Sequence, residues 1–131
     1  MITGIVNRDE AVILLQVRGR NRQTRQIEAV VDTGFTAWLT LPPALVAGLE
    51  LRWHSFGRGT LADGSETFFD IYEAAVVWDG RVRRIRVQVF DADPLVGMAL
   101  LRGCELKMHV RSRGRVVIKR LPGWRSRRTG E

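Results

Sequence analysis

The chain has 131 residues, the size of a single ordinary domain. It carries 21 Lys and Arg against 14 Asp and Glu, a formal net charge of +7 at pH 7, and one cysteine. No apolar stretch approaches the roughly 20 residues of a membrane helix, Met1–Val6 lacks the basic start of a signal peptide, and Cys104 alone cannot form an intrachain disulfide. The expectation is a soluble, cytoplasmic protein with no membrane partner.

The chain reads mostly as β-strand. Ala11–Val17 is apolar and rich in β-branched residues, Arg18–Thr24 is a polar turn, and Ile27–Val31 resumes the strand, the pattern of a hairpin. Trp38–Leu41 is a short strand. Pro42 and Pro43 then open the one clear helical stretch, Ala44–Leu49, because proline suits the first turn of a helix. A second hairpin is expected at Ala62-Asp63-Gly64-Ser65, between strands Gly59–Leu61 and Thr67–Ile71, since Asp-Gly tolerates the positive φ of a tight turn. Tyr72–Trp78 and Val82–Phe90 follow around another Asp-Gly turn, Asp79-Gly80. In the second of these strands Val82, Ile85, Val87 and Val89 mostly alternate with arginine or glutamine, which predicts a sheet with one wet face. Leu95–Leu101 is an apolar run with helical promise that stops at Gly103. Leu106–Val110 and Val116–Ile118 are late strands. Residues 1–120 form the single domain, and 121–131 read as a loose basic tail carrying Arg125, Arg127 and Arg128. The fold class is all-β, a barrel-like domain with one or two short helices.

The chemistry concentrates at Asp32-Thr33-Gly34, at the end of the apolar strand Ala29-Val30-Val31. By itself an Asp-x-Gly after a strand is a turn. Its context is more telling. Downstream, beyond the Asp-Gly hairpin and two long strands, stands Leu95-Val96-Gly97, followed by the helical Met98–Leu101. This order resembles the retropepsin-like (clan AA) aspartic proteases, and within them the small bacterial and archaeal type. In that type the strand after Asp-Thr-Gly often runs into Leu-Pro, as Leu41-Pro42 does here. The resemblance spans roughly Ala11 to Ile118.

The resemblance implies a closed β-barrel of the acid-protease fold, homodimeric, acting as an aspartic endopeptidase on peptide or protein substrates without metal or cofactor. Asp32 would be the catalytic carboxylate. Thr33 would hydrogen-bond across the dimer, and Gly34 would let the main chain approach substrate. Ala62, Asp63 and Gly64 would form the tip of a flap over the peptide. Leu95 would line a specificity pocket, with Val96-Gly97 packed behind Asp32. Two positions depart from the retroviral pattern together: an acidic residue and an arginine that pair there are Thr36 and Met98 here. Phe35 stands where a small or hydroxyl residue is common and removes one possible hydrogen bond to Asp32.

The chemical reason for a dimer is independent of the family. Hydrolysis of a peptide bond by water needs a base for the water and an acid for the carbonyl. Two adjacent carboxylates that share one proton supply both. The sequence contains one Asp-Thr-Gly and no room for a second lobe, so the second aspartate must come from a second chain.

Two other readings compete. One is a catalytically silent dimer of the same fold used as a binding module; the intact Asp-Thr-Gly argues against it. The other is a basic, nucleic-acid-binding β-barrel in which Asp-Thr-Gly is only a turn. The basic C-terminal end supports that reading. Against it, the arginines scatter along the sequence without the interleaved aromatics of a stacking platform. His54, His109 and Cys104 lack the spacing of metal ligands. Asp91 and Asp93 fit a loop before Pro94, and the four tryptophans stand too far apart in sequence to form a cage.

Overall fold

The computed structural model describes residues 1–124. Ten strands and two short helices follow one another as β1 (Ile2–Asn7), β2 (Glu10–Arg18), β3 (Thr24–Val31), β4 (Leu39–Leu41), α1 (Pro43–Gly48), β5 (Arg52–Thr60), β6 (Glu66–Trp78), β7 (Arg81–Val89), β8 (Leu95–Val96), α2 (Met98–Leu101), β9 (Cys104–Met108) and β10 (Arg115–Arg120). All the strands join one sheet in the order β5-β6-β7-β4-β8-β3-β2-β1-β10-β9, and β6 also pairs with β2. That extra pairing closes the ring β2-β3-β8-β4-β7-β6 into a barrel. One edge of β2 is taken by β3; β1 and β6 divide the other, β1 pairing with Glu10–Ile13 and β6 with Gln16–Arg18.

Period-two alternation builds the core. Ala11, Ile13, Leu15 and Val17 of β2 are buried, while Leu14 between them is exposed. Ile27, Ala29 and Val31 of β3, Ile85 and Val87 of β7, and Val116 and Ile118 of β10 point into the same interior. On β7 the intervening Arg84 and Arg86 keep their charges in water, as the alternation predicts. The turn between β6 and β7 holds Asp79 at φ 51° and Gly80 at φ 78°, the two positive values a two-residue hairpin loop requires. Among the described residues no helix is long and apolar enough to cross a membrane.

The structure departs from the sequence reading in five places, four of them in the sheet and one at the C-terminal end of the described residues. β1 forms a strand that its sequence does not announce, because its partners are β2 and the distant β10. β6 runs unbroken from Glu66 to Trp78, where two strands, Thr67–Ile71 and Tyr72–Trp78, were expected. β5 begins at Arg52 rather than Gly59 and accommodates Gly57 and Gly59 inside the strand. It does so because the Phe69 ring of β6 lies across them: a Cβ on Gly57 would come within 2.2 Å of that ring. The apolar run Leu95–Leu101 divides into β8 and α2, with Gly97 between them.

Beyond β10 the chain returns to the barrel over Leu121–Trp124. Leu121 donates its N–H to the Gly103 carbonyl at 2.9 Å, and the Trp124 indole lies against Gly103. These four residues are therefore packed, unlike the loose tail expected from Leu121. Arg125, Arg127 and Arg128 lie outside the described residues.

β8 is only two residues long, yet it sits in mid-sheet, parallel to β3 and antiparallel to β4. Part of its support comes from Thr40, the one buried polar residue among those described, at 4 % exposure. Its Oγ1 accepts the Leu95 N–H at 2.9 Å. Thr40→Val keeps the shape and leaves that N–H without a partner. The substitution should lower stability by about 1–3 kcal/mol in a denaturant titration; an unchanged midpoint would show that the hydrogen bond contributes nothing net.

Candidate active site

The Asp32 loop owes its shape to the threading of the sheet. β8 lies between β3 and β4, so the chain that leaves β3 must pass over β8 to reach β4. On the β3 side, Val30 donates to the Pro94 carbonyl and Asp32 to the Val96 carbonyl, both at 2.9 Å. The loop then tightens, with the Phe35 N–H bonded to the Asp32 carbonyl at 3.1 Å. On the β4 side the bonds run the other way. Gly97 donates to Trp38 at 3.0 Å, Met98 to Phe35 at 2.8 Å and Ala99 to Ala37 at 3.2 Å. The main chain of residues 96–99 thus holds the whole of the 32–38 loop from beneath.

Gly97 is the point of closest approach. A Cβ there would stand 2.1 Å from the Ala37 carbonyl oxygen and 2.6 Å from the Phe35 ring, so only glycine fits. Thr36 and Met98 are both exposed and uncharged, and the loop is braced by main-chain bonds such as Met98 to Phe35.

The Asp32 side chain is partly buried, and its Oδ1 accepts the Gly34 N–H at 2.9 Å. Thr33 and Gly34 are exposed at the turn itself. Leu95 is partly buried and pairs with Val30 across β8 and β3. Asp32, Gly34 and Leu95 therefore belong to one hydrogen-bonded assembly, with Thr33 exposed between Asp32 and Gly34. Its chemical content is one carboxylate, held in a fixed orientation by its own loop and open to solvent beside two exposed residues.

Ala62, Asp63 and Gly64 stand apart from that assembly, exposed at the tip of the β5/β6 hairpin. Here the Gly64 N–H bonds to the Leu61 carbonyl at 2.9 Å and the Leu61 N–H to the Ser65 carbonyl at 2.7 Å. Gly64 takes φ +86°, and Asp63 does not share the left-handed conformation, so the tip is a three-residue loop with a glycine bulge. The Ser65 hydroxyl and N–H, at 2.6 and 2.9 Å from Asp63 Oδ1, hold that carboxyl below the usual carboxylate range. The tip is tied to itself and makes no hydrogen bond to the Asp32 loop among the described residues.

Three residues escaped the sequence reading. Thr40 supports β8 from a neighbouring strand. Phe69, beneath the hairpin, meets Phe90 at the end of β7 with ring centroids 5.0 Å apart. The available signal was Gly57-x-Gly59 in a strand, a pattern that needs an aromatic partner across the ladder. Elsewhere, His54 Nδ1 lies 2.7 Å from the Ser55 hydroxyl, and no three His, Cys, Asp or Glu side chains converge as metal ligands among the described residues.

Solved structures of the same architecture include the following two proteins. One is EIAV protease in complex with an inhibitor, with TM-score 0.54 and 17 % identity, covering 72 % of this chain and 88 % of that one. The other is a retropepsin-like aspartic protease from Rickettsia conorii, with TM-score 0.55 and 19 % identity, covering 89 % of this chain and 88 % of that one. No protein-family model and no curated protein matches the sequence. The chain has the fold of the retropepsin-like aspartic proteases, at a low sequence identity to both.

Gly97→Ala tests the crossing. The added methyl must displace the Phe35–Ala37 main chain, and overpacking of this kind costs about 1–3 kcal/mol or more. The variant should unfold at lower denaturant than the parent and lose protection from hydrogen exchange at the amides of Met98 and Ala99. Full stability would mean that the two segments are not held in contact at Gly97.

Proposed function

We propose that the protein is an aspartic endopeptidase whose site is assembled from two copies of the chain. The observation that carries this reading is the Asp32 carboxylate, presented on a loop fastened by main-chain bonds to residues 96–99, in a fold shared with retropepsin-like aspartic proteases. A single carboxylate cannot act as base and acid in one step. Two Asp32 side chains brought together by a two-fold axis would be unable to ionise at once and would share a proton.

In this mechanism the ionised Asp32 takes a proton from a water bound between the two carboxylates. The protonated Asp32 of the other chain donates a hydrogen bond, then its proton, to the scissile carbonyl oxygen. On collapse of the tetrahedral intermediate the Asp32 that took the water's proton gives it to the amine nitrogen, the C–N bond breaks, and a hydroxyl proton of the intermediate returns to the other Asp32. In this reading Thr33 braces one loop against the other, and Gly34 offers main chain without a side chain to an extended peptide. Ala62, Asp63 and Gly64 form the tip that closes over the substrate, and Leu95 lines a side-chain pocket beside Asp32. Closure of such a hairpin excludes water from the reacting bond and commits the substrate.

Asp32→Asn preserves shape and removes the proton chemistry. Cleavage of a fluorogenic peptide library should fall by a factor of about 10² to 10⁴ or more, while the circular dichroism spectrum and melting curve stay those of the parent. Cleavage retained in the variant would overturn the mechanism. A parent chain that binds peptides and cleaves none would establish a binding module instead.

A further inference from the structure

Arginines that are scattered in the sequence gather at the end of the barrel marked by the Asp79-Gly80 turn. A cavity of about 230 Å³ opens there, lined by Arg81 and Arg83 of β7, Arg102 after α2 and Arg120 of β10, with Trp78 and Trp124 as its aromatic walls. Trp78 is 5 % exposed, so that wall belongs to the core. None of the four guanidinium groups pairs with a carboxylate among the described residues; the three ion pairs there are Met1–Asp79, Arg58–Glu66 and Lys119–Glu105. Asp79 also lines the cavity, but the terminal ammonium of Met1 engages its carboxylate.

Arg83 is the most constrained of the four. Its Nη1 donates to the Leu100 carbonyl at 3.4 Å, and its Cζ lies 5.3 Å from the centroid of the Trp38 ring. Burial first, and then the charges of Arg120 and Arg102, hold its pKa below the usual guanidinium value, with Cys104 acting in the opposite sense. Like charges converging on a partly desolvated space repel one another unless an anion joins them.

We infer that this cavity is a binding site for the phosphate group of a small ligand. A guanidinium presents its N–H groups in a fork that matches phosphate oxygens, and several of them balance a dianion better than they balance a single carboxylate. The cavity is larger than a phosphate group alone. Trp124, partly exposed against the edge of the cavity, offers its remaining volume an apolar surface suited to the organic part of a phosphate ester. No residue of the 32–38 loop lines the cavity, although Arg83 reaches Trp38 at the end of that loop. Arg81, Arg102 and Arg120 make no contact with it among the hydrogen bonds and ion pairs described.

The test is calorimetric titration of the full chain at low ionic strength with inorganic phosphate, AMP and adenosine. Phosphate and AMP should bind saturably at one site per chain, and adenosine should not bind. Arg120→Gln and Arg83→Gln should each weaken AMP binding about tenfold or more, the usual weight of a charge-assisted hydrogen bond. Arg120 is exposed, so its variant remains informative if loss of Arg83 disturbs the fold. Arg86→Gln, which removes an exposed arginine of β7 that does not line the cavity, should leave binding unchanged. The inference fails if neither phosphate nor AMP saturates, if adenosine binds as tightly as AMP, or if Arg86→Gln weakens binding as much as Arg120→Gln does.

Discussion

Where the 32–38 loop passes over β8, two main chains approach more closely than any side chain would allow. Gly97 permits the contact, and the hydrogen bonds from Gly97, Met98 and Ala99 to Trp38, Phe35 and Ala37 fasten it. Most of what positions Asp32 follows from that crossing. β8 can hold the middle of the sheet with two residues because β3 pairs with it on one side, while β4 and the Thr40 hydroxyl support it on the other. The loop in turn can present a carboxylate in a fixed direction because its own main-chain polar groups are already engaged. A segment so short would otherwise fray, since an unpaired buried N–H costs as much as several favourable contacts supply.

What could be read from the sequence was local. The β2/β3 hairpin, β4, the proline-led α1 and the two Asp-Gly turns each depend on residues a few positions apart, and alternation or turn chemistry announces them. β1 was illegible because half of its pairing is with β10, at the far end of the chain. β6 was split in two for a different reason. Its first half lies in the exposed β5/β6 hairpin and its second half in the barrel wall, so the burial pattern changes midway although the strand does not. Asp32, Thr33, Gly34 and Leu95 were legible as motif residues. Thr40 was not, because a threonine in a strand is unremarkable until the N–H that it satisfies comes from β8.

The arginines show the same limit. Along the sequence they are spread from Arg8 to Arg128, and a solvated surface explains most of them. Closure of the barrel nevertheless brings the start of β7, the end of α2 and the end of β10 to one cavity, where Arg81, Arg83, Arg102 and Arg120 meet. Trp78 and Trp124, far apart in sequence, line the same cavity because the chain beyond β10 folds back onto Gly103. Charge that looked dispersed in one dimension is focused in three, at the end of the barrel marked by the Asp79-Gly80 turn.

The account of function stands or falls on subunit arithmetic. Each chain supplies a single Asp32, so a dimer of one parent chain and one Asp32→Asn chain contains one carboxylate and lacks either the acid or the base. The most direct measurement mixes the two chains in equal amounts, with subunit exchange followed by an independent label, and records peptide cleavage once exchange is complete. Random pairing leaves about a quarter of the dimers with both aspartates, so activity should fall to about half of what the parent chains alone would give. Activity that stays proportional to the amount of parent chain after full exchange would mean that every chain carries a complete site, and would contradict the shared-carboxylate mechanism.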